Sequence, residues 1–128
     1  MAHHVSKERF GKLVEQALEE LPAQFAEFLE EVPVQIERRP SRKLLRSLGL
    51  EDDELLLGLY QGASLMDRSE AEGRGTPVPN HILIFQEDVE LVSDSEADLV
   101  REVRTTVLHE IGHHFGMDEE DLEKLGYG

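Results

Sequence analysis

Apolar residues near the start of the chain, Phe10, Leu13, Val14, Ala17, Leu18 and Leu21, follow the i, i+3, i+4, i+7 pattern of a helix with one buried face. Ser6 stands where it can cap that helix. Pro22 suits the first turn of a second helix, which carries Phe25, Phe28 and Leu29. The period then changes to two. In "VPVQIERRP", Val32, Val34 and Ile36 alternate with polar residues, and Pro33 points to a strand start or a sheet edge. A short helix over 42–48 should end at Gly49. "ELLLGLYQG" (54–62) has leucines on both sides of the pleat and is expected to be a central strand. "HILIFQ" (81–86) is a further strand, rich in β-branched and aromatic residues. "EDVELVSD" suits a helical turn. Ser93 or Ser95 then caps a long helix over about 96–115 that ends at Gly116, and a last short helix covers 119–124.

Two helices, a few strands and then further helices imply an α+β fold rather than alternating βαβ units. The expectation is one domain over residues 1–128, with a small mixed sheet of three or four strands. The sheet packs on the N-terminal helices and on the long C-terminal helix. Residues 62–80, with "EAEGRGTPVPN", form a long surface loop in this reading.

Composition removes several functions. The formal charge of −15 argues against nucleic acid and anionic membranes, which need a positive footprint. No apolar run approaches the ~20 residues of a membrane span. "MAHHVSKERF" lacks the apolar segment of a secretion signal, so a cytoplasmic protein is expected. The chain has no cysteine, and any metal must therefore be held by His, Asp or Glu.

Those residue types converge in "TTVLHEIGHHFGMDEEDL" (105–122). A helix turns ~100° and rises ~1.5 Å per residue, so His109 and His113 lie on one face, ~6 Å apart along the axis. Both imidazoles can then reach one cation at ~2.0–2.1 Å. Glu110, beside His109, can act on a water there without filling a ligand position. Val100, Val103, Val107, Ile111 and Phe115 group around the opposite side, so the core face and the histidine face are distinct. Gly116 permits a reversal that brings Asp118, Glu119 or Glu120 back as third ligand. Glu119 is the first choice and Asp118 the second. The same carboxylates also fit the charged first turn of the last helix, with Asp118 as its cap.

"VLHEIGHHFGMDEEDL", with "LLGLYQG" and "HILIFQE" upstream, resembles the small bacterial zincin-like proteins described as possible zinc metallopeptidases, minimal relatives of the metzincins. The resemblance runs from "RFGKLVEQALEELP" onward. The family pattern is His-Glu-x-x-His-x-x-Gly-x-x-Asp. His109, Glu110, His113 and Gly116 match it, and Glu119 stands where Asp is usual. The methionine turn of metzincins at large has no counterpart after the motif, since Met117 lies too close to the histidines. The resemblance implies a Zn²⁺ cofactor, a peptide or protein substrate, and hydrolysis by activated water with Glu110 as general base. It also implies an extended peptide laid along an edge strand, with 81–86 or 32–37 as candidates and the 62–80 loop as a rim. Tyr60, His81, His114 and Tyr127 are candidate oxyanion donors. The alternative reading is a metal-binding or regulatory module without proteolysis.

Among the remaining polar residues, His114 is expected to pack or to hydrogen-bond rather than bind metal. His3 and His4 are expected to lie in a disordered end with no role. Arg101 and Arg104 should pair with Asp98 and Glu102 along their own helix.

Overall fold

Ser6 Oγ accepts the main-chain N–H of Arg9 at 3.0 Å and starts helix α1, Lys7–Glu19. The computed structural model describes residues 2–62, 80–114, 116 and 119–124, with the side chains of Glu119, Leu122 and Glu123 outside that description. Helix α2, Ala23–Glu31, follows with Pro22 immediately before it, and strand β1, Val34–Glu37, comes next. Ser41 caps helix α3, Arg42–Ser47, and Gly49 ends that region at φ +76°. Strands β2, Gly58–Gln61, and β3, His81–Phe85, complete the sheet. Helix α4, Gln86–Leu91, follows β3 directly. Ser95 Oγ accepts the Asp98 N–H at 3.1 Å, so Ser95 caps helix α5, Glu96–His114. Ser93 is buried and donates to the Val89 carbonyl instead. Gly116, at φ +74°, lies between α5 and helix α6, Glu119–Lys124.

The sheet order is β1-β3-β2, with β1 parallel and β2 antiparallel to β3. This is the mixed sheet of an α+β fold. The strand expected over 54–62 is corrected in length and in place. Only Gly58–Gln61 is extended in the sheet, and β2 lies at an edge. The central strand is β3, in which Ile82 to Phe85 are all buried. Leu55 is exposed, so the leucine run reflects a connection that only partly buries its side chains, not a strand covered on both faces.

One face of the sheet carries the main core. Ile82 and Ile84 of β3 join Phe10, Leu13, Val14 and Ala17 of α1. Leu99, Val103, Val107, Leu108 and Ile111 of α5 close the cluster. Burying each large side chain contributes roughly 1.5–3 kcal/mol, whereas exposed ion pairs contribute about 0–1 kcal/mol. The core therefore fixes how α5 is rotated. Ion pairs between α1 and α5 set their alignment. Arg9 donates to both oxygens of Glu96, at 2.9 and 2.7 Å, and Arg104 reaches Glu20 at 3.0 Å. These contacts link start to start and end to middle, so the two helices run in the same direction. Arg104 thus serves α1 rather than the expected partner on its own helix, while Arg101 does pair with Asp98.

The expectation that His3 and His4 have no role does not hold. Glu90 of α4 is only 3% exposed and gathers the N-terminal segment around its carboxylate. Val5 N–H donates to Glu90 Oε2 at 3.0 Å, Gln86 Nε2 donates to the same oxygen at 3.1 Å, and His4 Nδ1 lies 3.1 Å from Oε1. His3 N–H donates to the Glu90 carbonyl. Burial by itself pushes the Glu90 pKa up, but the bonds from Val5, His4 and Gln86 outweigh it and leave the value below that of an ordinary glutamate. A lowered folded-state pKa contributes stability above the unfolded value, and that contribution disappears as pH falls through the folded value. Glu90→Gln should therefore cost about 1–3 kcal/mol in urea unfolding at pH 7. The difference from wild type should shrink as pH drops below the ordinary glutamate value.

Candidate metal centre

The last turns of α5 carry His109, Glu110 and His113 past the outer edge of β2. Their placement follows from the helix's buried side, since Val107, Leu108 and Ile111 are fully enclosed. His109 and Glu110 are half-buried and His113 is exposed, so the group lies where core gives way to solvent. The ring centroids of His109 and His113 are 6.4 Å apart, with planes tilted by 37°. An imidazole that binds a cation at ~2.0–2.1 Å has its ring centre about 3 Å from the ion, so two ligands to one ion have centres at most about 6.5 Å apart. That limit belongs to a linear arrangement; on a tetrahedral ion the centres stand about 5 Å apart, so the two side chains must turn toward each other by more than about 1 Å to share one cation. The donor set fits zinc, which takes imidazole and carboxylate readily.

Glu110 Oε2 accepts the main-chain N–H of Tyr60 in β2 at 3.2 Å. Burial raises the Glu110 pKa above the usual carboxylate value, and the Tyr60 N–H, His113 and His109 offset this only in part. A carboxylate raised toward neutrality is a better proton acceptor for work near pH 7.

His114 is turned away from this pair. Its ring stacks on Tyr60 at 4.9 Å and meets Phe28 of α2 at 5.2 Å, so it fastens the end of α5 to β2 and α2. Packing was the expected role. Burial also raises the Tyr60 phenol pKa. His81 lies at the start of β3, with Nε2 3.0 Å from Gln61 Oε1 across the strands. Glu119 begins α6, but its side chain lies outside the described residues, as do Asp118, Met117, Phe115, Tyr127 and the 63–79 part of the expected rim. Among the described residues, no group of three or more His, Asp or Glu side chains converges on one point.

The edge-strand expectation is corrected. β3 is flanked on both sides and cannot accept a peptide strand, and β1 lies at the opposite edge of the sheet from Glu110. The edge beside the histidines is β2. The Tyr60 N–H was not anticipated, because a main-chain donor carries no residue-type signal. Gly58 did carry one, since an isolated glycine in a strand marks close approach. A Cβ there would stand 2.6 Å from Thr106 Cγ2 of α5 and 2.9 Å from the Leu83 carbonyl oxygen.

A family model described as zincin-like metallopeptidase matches residues 29–128. The chain belongs to that family. The match starts within α2 and leaves α1 outside, so it is shorter than the span of the resemblance seen in the sequence. The chain is also similar to the solved structure of a conserved hypothetical protein from T. thermophilus. The two are 26% identical with a TM-score of 0.53, over 87% of this chain and 94% of that one. No curated protein matches the chain. This zincin-like chain contains no helix, among the described residues, long and apolar enough to cross a membrane.

Gly58→Ala should force β2 and α5 apart at the site. The expected cost is about 1–3 kcal/mol in chemical denaturation. Zinc affinity, measured by competition with a chelating dye, should fall in the same variant.

Proposed function

We propose that the protein is a zinc-dependent peptidase whose site is formed by α5 and the outer edge of β2. The observation that carries this reading is Glu110 itself. It stands beside two imidazoles on one helix face, is half-buried, and is held by an edge-strand N–H at 3.2 Å. His109 and His113 would hold the ion, with Glu119 as the first candidate for the third ligand and Asp118 as the second. A zinc ion bound there supplies Lewis acidity, which polarises a scissile carbonyl and makes water more acidic.

The chain's own residues do the rest. Glu110 accepts a proton from the attacking water and returns it to the departing amine, which needs one carboxylate within reach of both. Among the described residues the outer edge of β2 pairs with no strand, so an extended peptide can bind along its outward carbonyls while the Tyr60 N–H stays with Glu110. A peptide bound there would have its backbone next to the proposed base. The acidic chain is proposed to act on peptides in the cytoplasm, without nucleic acid or membrane as partner.

The test is hydrolysis of a peptide library by wild type and Glu110→Gln, with zinc content measured on both. The expected result is a loss of about 10²–10⁴-fold in cleavage with zinc retained. Equal cleavage by the two proteins would mean that the hydrolysis comes from elsewhere. Zinc binding without cleavage by wild type would favour the non-proteolytic module.

A further inference from the structure

The pairing register assigns a task to one main-chain group. In an antiparallel pair, residues alternate between those that exchange hydrogen bonds with the partner strand and those whose N–H and C=O point away. Phe85 N–H donates to the Leu57 carbonyl at 2.9 Å, and these two residues continue the register that pairs Gly58 with Ile84 and Tyr60 with Ile82. Leu57, Leu59 and Gln61 therefore bond toward β3. Gly58 and Tyr60 direct their main-chain groups to the outer edge. In agreement, Ile82 N–H is used on the other side, where it donates to the Pro33 carbonyl at 2.9 Å. The Tyr60 N–H is thus surplus to the sheet, and it meets Glu110 Oε2.

We propose that the main-chain N–H of Tyr60 is the positioning group for the Glu110 carboxylate, so that the edge strand fixes where the base stands; this rests on the reading of Glu110 as general base. Three features make the donor rigid. Tyr60 lies between two residues bonded to β3, its ring is stacked on His114, and Gly58 lets the strand approach α5 closely. A glutamate side chain is otherwise free among many rotamers. Holding Oε2 from the strand leaves Oε1, which has no hydrogen-bond partner among the described residues, for proton transfer. A main-chain amide also stays a donor at every pH at which the protein is folded. The strand that receives the peptide and the group that orders the base are then one element.

The experiment has two arms. In the first, amide exchange and the proton shift of Tyr60 are read by NMR on ¹⁵N-labelled wild type and Glu110→Ala, with and without zinc. In wild type the resonance should lie at low field and exchange should be about tenfold slower or more than in Glu110→Ala, as expected for a bond to a charged acceptor. An unchanged shift and an unchanged exchange rate in Glu110→Ala would overturn the proposal. In the second arm, Tyr60→Pro removes the donor and Tyr60→Ala keeps it while removing the same ring. Proline is tolerated where an edge-strand N–H faces outward. With peptide substrate, kcat should fall about tenfold further in Tyr60→Pro than in Tyr60→Ala, with KM alike and zinc retained in both. Equal kcat in two folded variants would also overturn it. If wild type cleaves nothing, the peptidase reading fails and the NMR arm alone decides the proposal.

Discussion

The close contact of β2 with α5 is the constraint on which the rest depends. At Gly58 the strand and the helix approach so nearly that a single added carbon would collide with Thr106 and with the Leu83 carbonyl. Because the gap is closed there, Tyr60 two residues later reaches both Glu110 and His114. A wider separation would leave Glu110 to choose among rotamers and His114 without its stacking partner. The sheet supplies an edge and the helix supplies the histidine and glutamate side chains. The missing side chain at residue 58 allows them to meet.

Core packing decides which side of α5 faces that edge. The apolar residues from Leu99 to Ile111 are buried against α1 and β3, and together they outweigh the surface ion pairs along the same helix. Once that face is inside, a turn of ~100° per residue places His109, Glu110 and His113 together at the boundary with solvent. The half-burial of Glu110 follows from this position, and so does its raised pKa. Fold and chemistry are therefore linked through one helical period. A residue inserted into α5 between Val103 and His109 would preserve the histidine motif but rotate it away from β2.

Local patterns in the sequence carry much of this. Caps at Ser6, Ser95 and Gly116, the alternation of β1, the apolar run of β3 and the two faces of α5 are all legible there, and the structure contains each of them. What local pattern cannot supply is the order of strands. Three leucines before Gly58 suggest a strand buried on both sides, yet the sheet places β2 at an edge, and its bonding to β3 goes no further back than Leu57. The role of His4 was missed for a related reason. Its partner Glu90 lies 86 positions away, and no short-range pattern connects them. In the same way, the Tyr60 N–H gains meaning only from the register with β3. The histidine pair was visible because both residues share one helix, whereas the carboxylate proposed to join them lies beyond Gly116, where helical spacing no longer applies.

Everything proposed for the site requires that two imidazoles from one turn of α5 bind the metal, with carboxylate or water oxygen completing the shell. Zinc-edge X-ray absorption on protein carrying one equivalent of zinc tests this most directly, since imidazole rings give a distinctive multiple-scattering signature. Two imidazoles at ~2.0–2.1 Å with oxygen in the remaining positions is the predicted shell. A shell with a third imidazole, drawn from His114 or His81, or one without any imidazole, would contradict it.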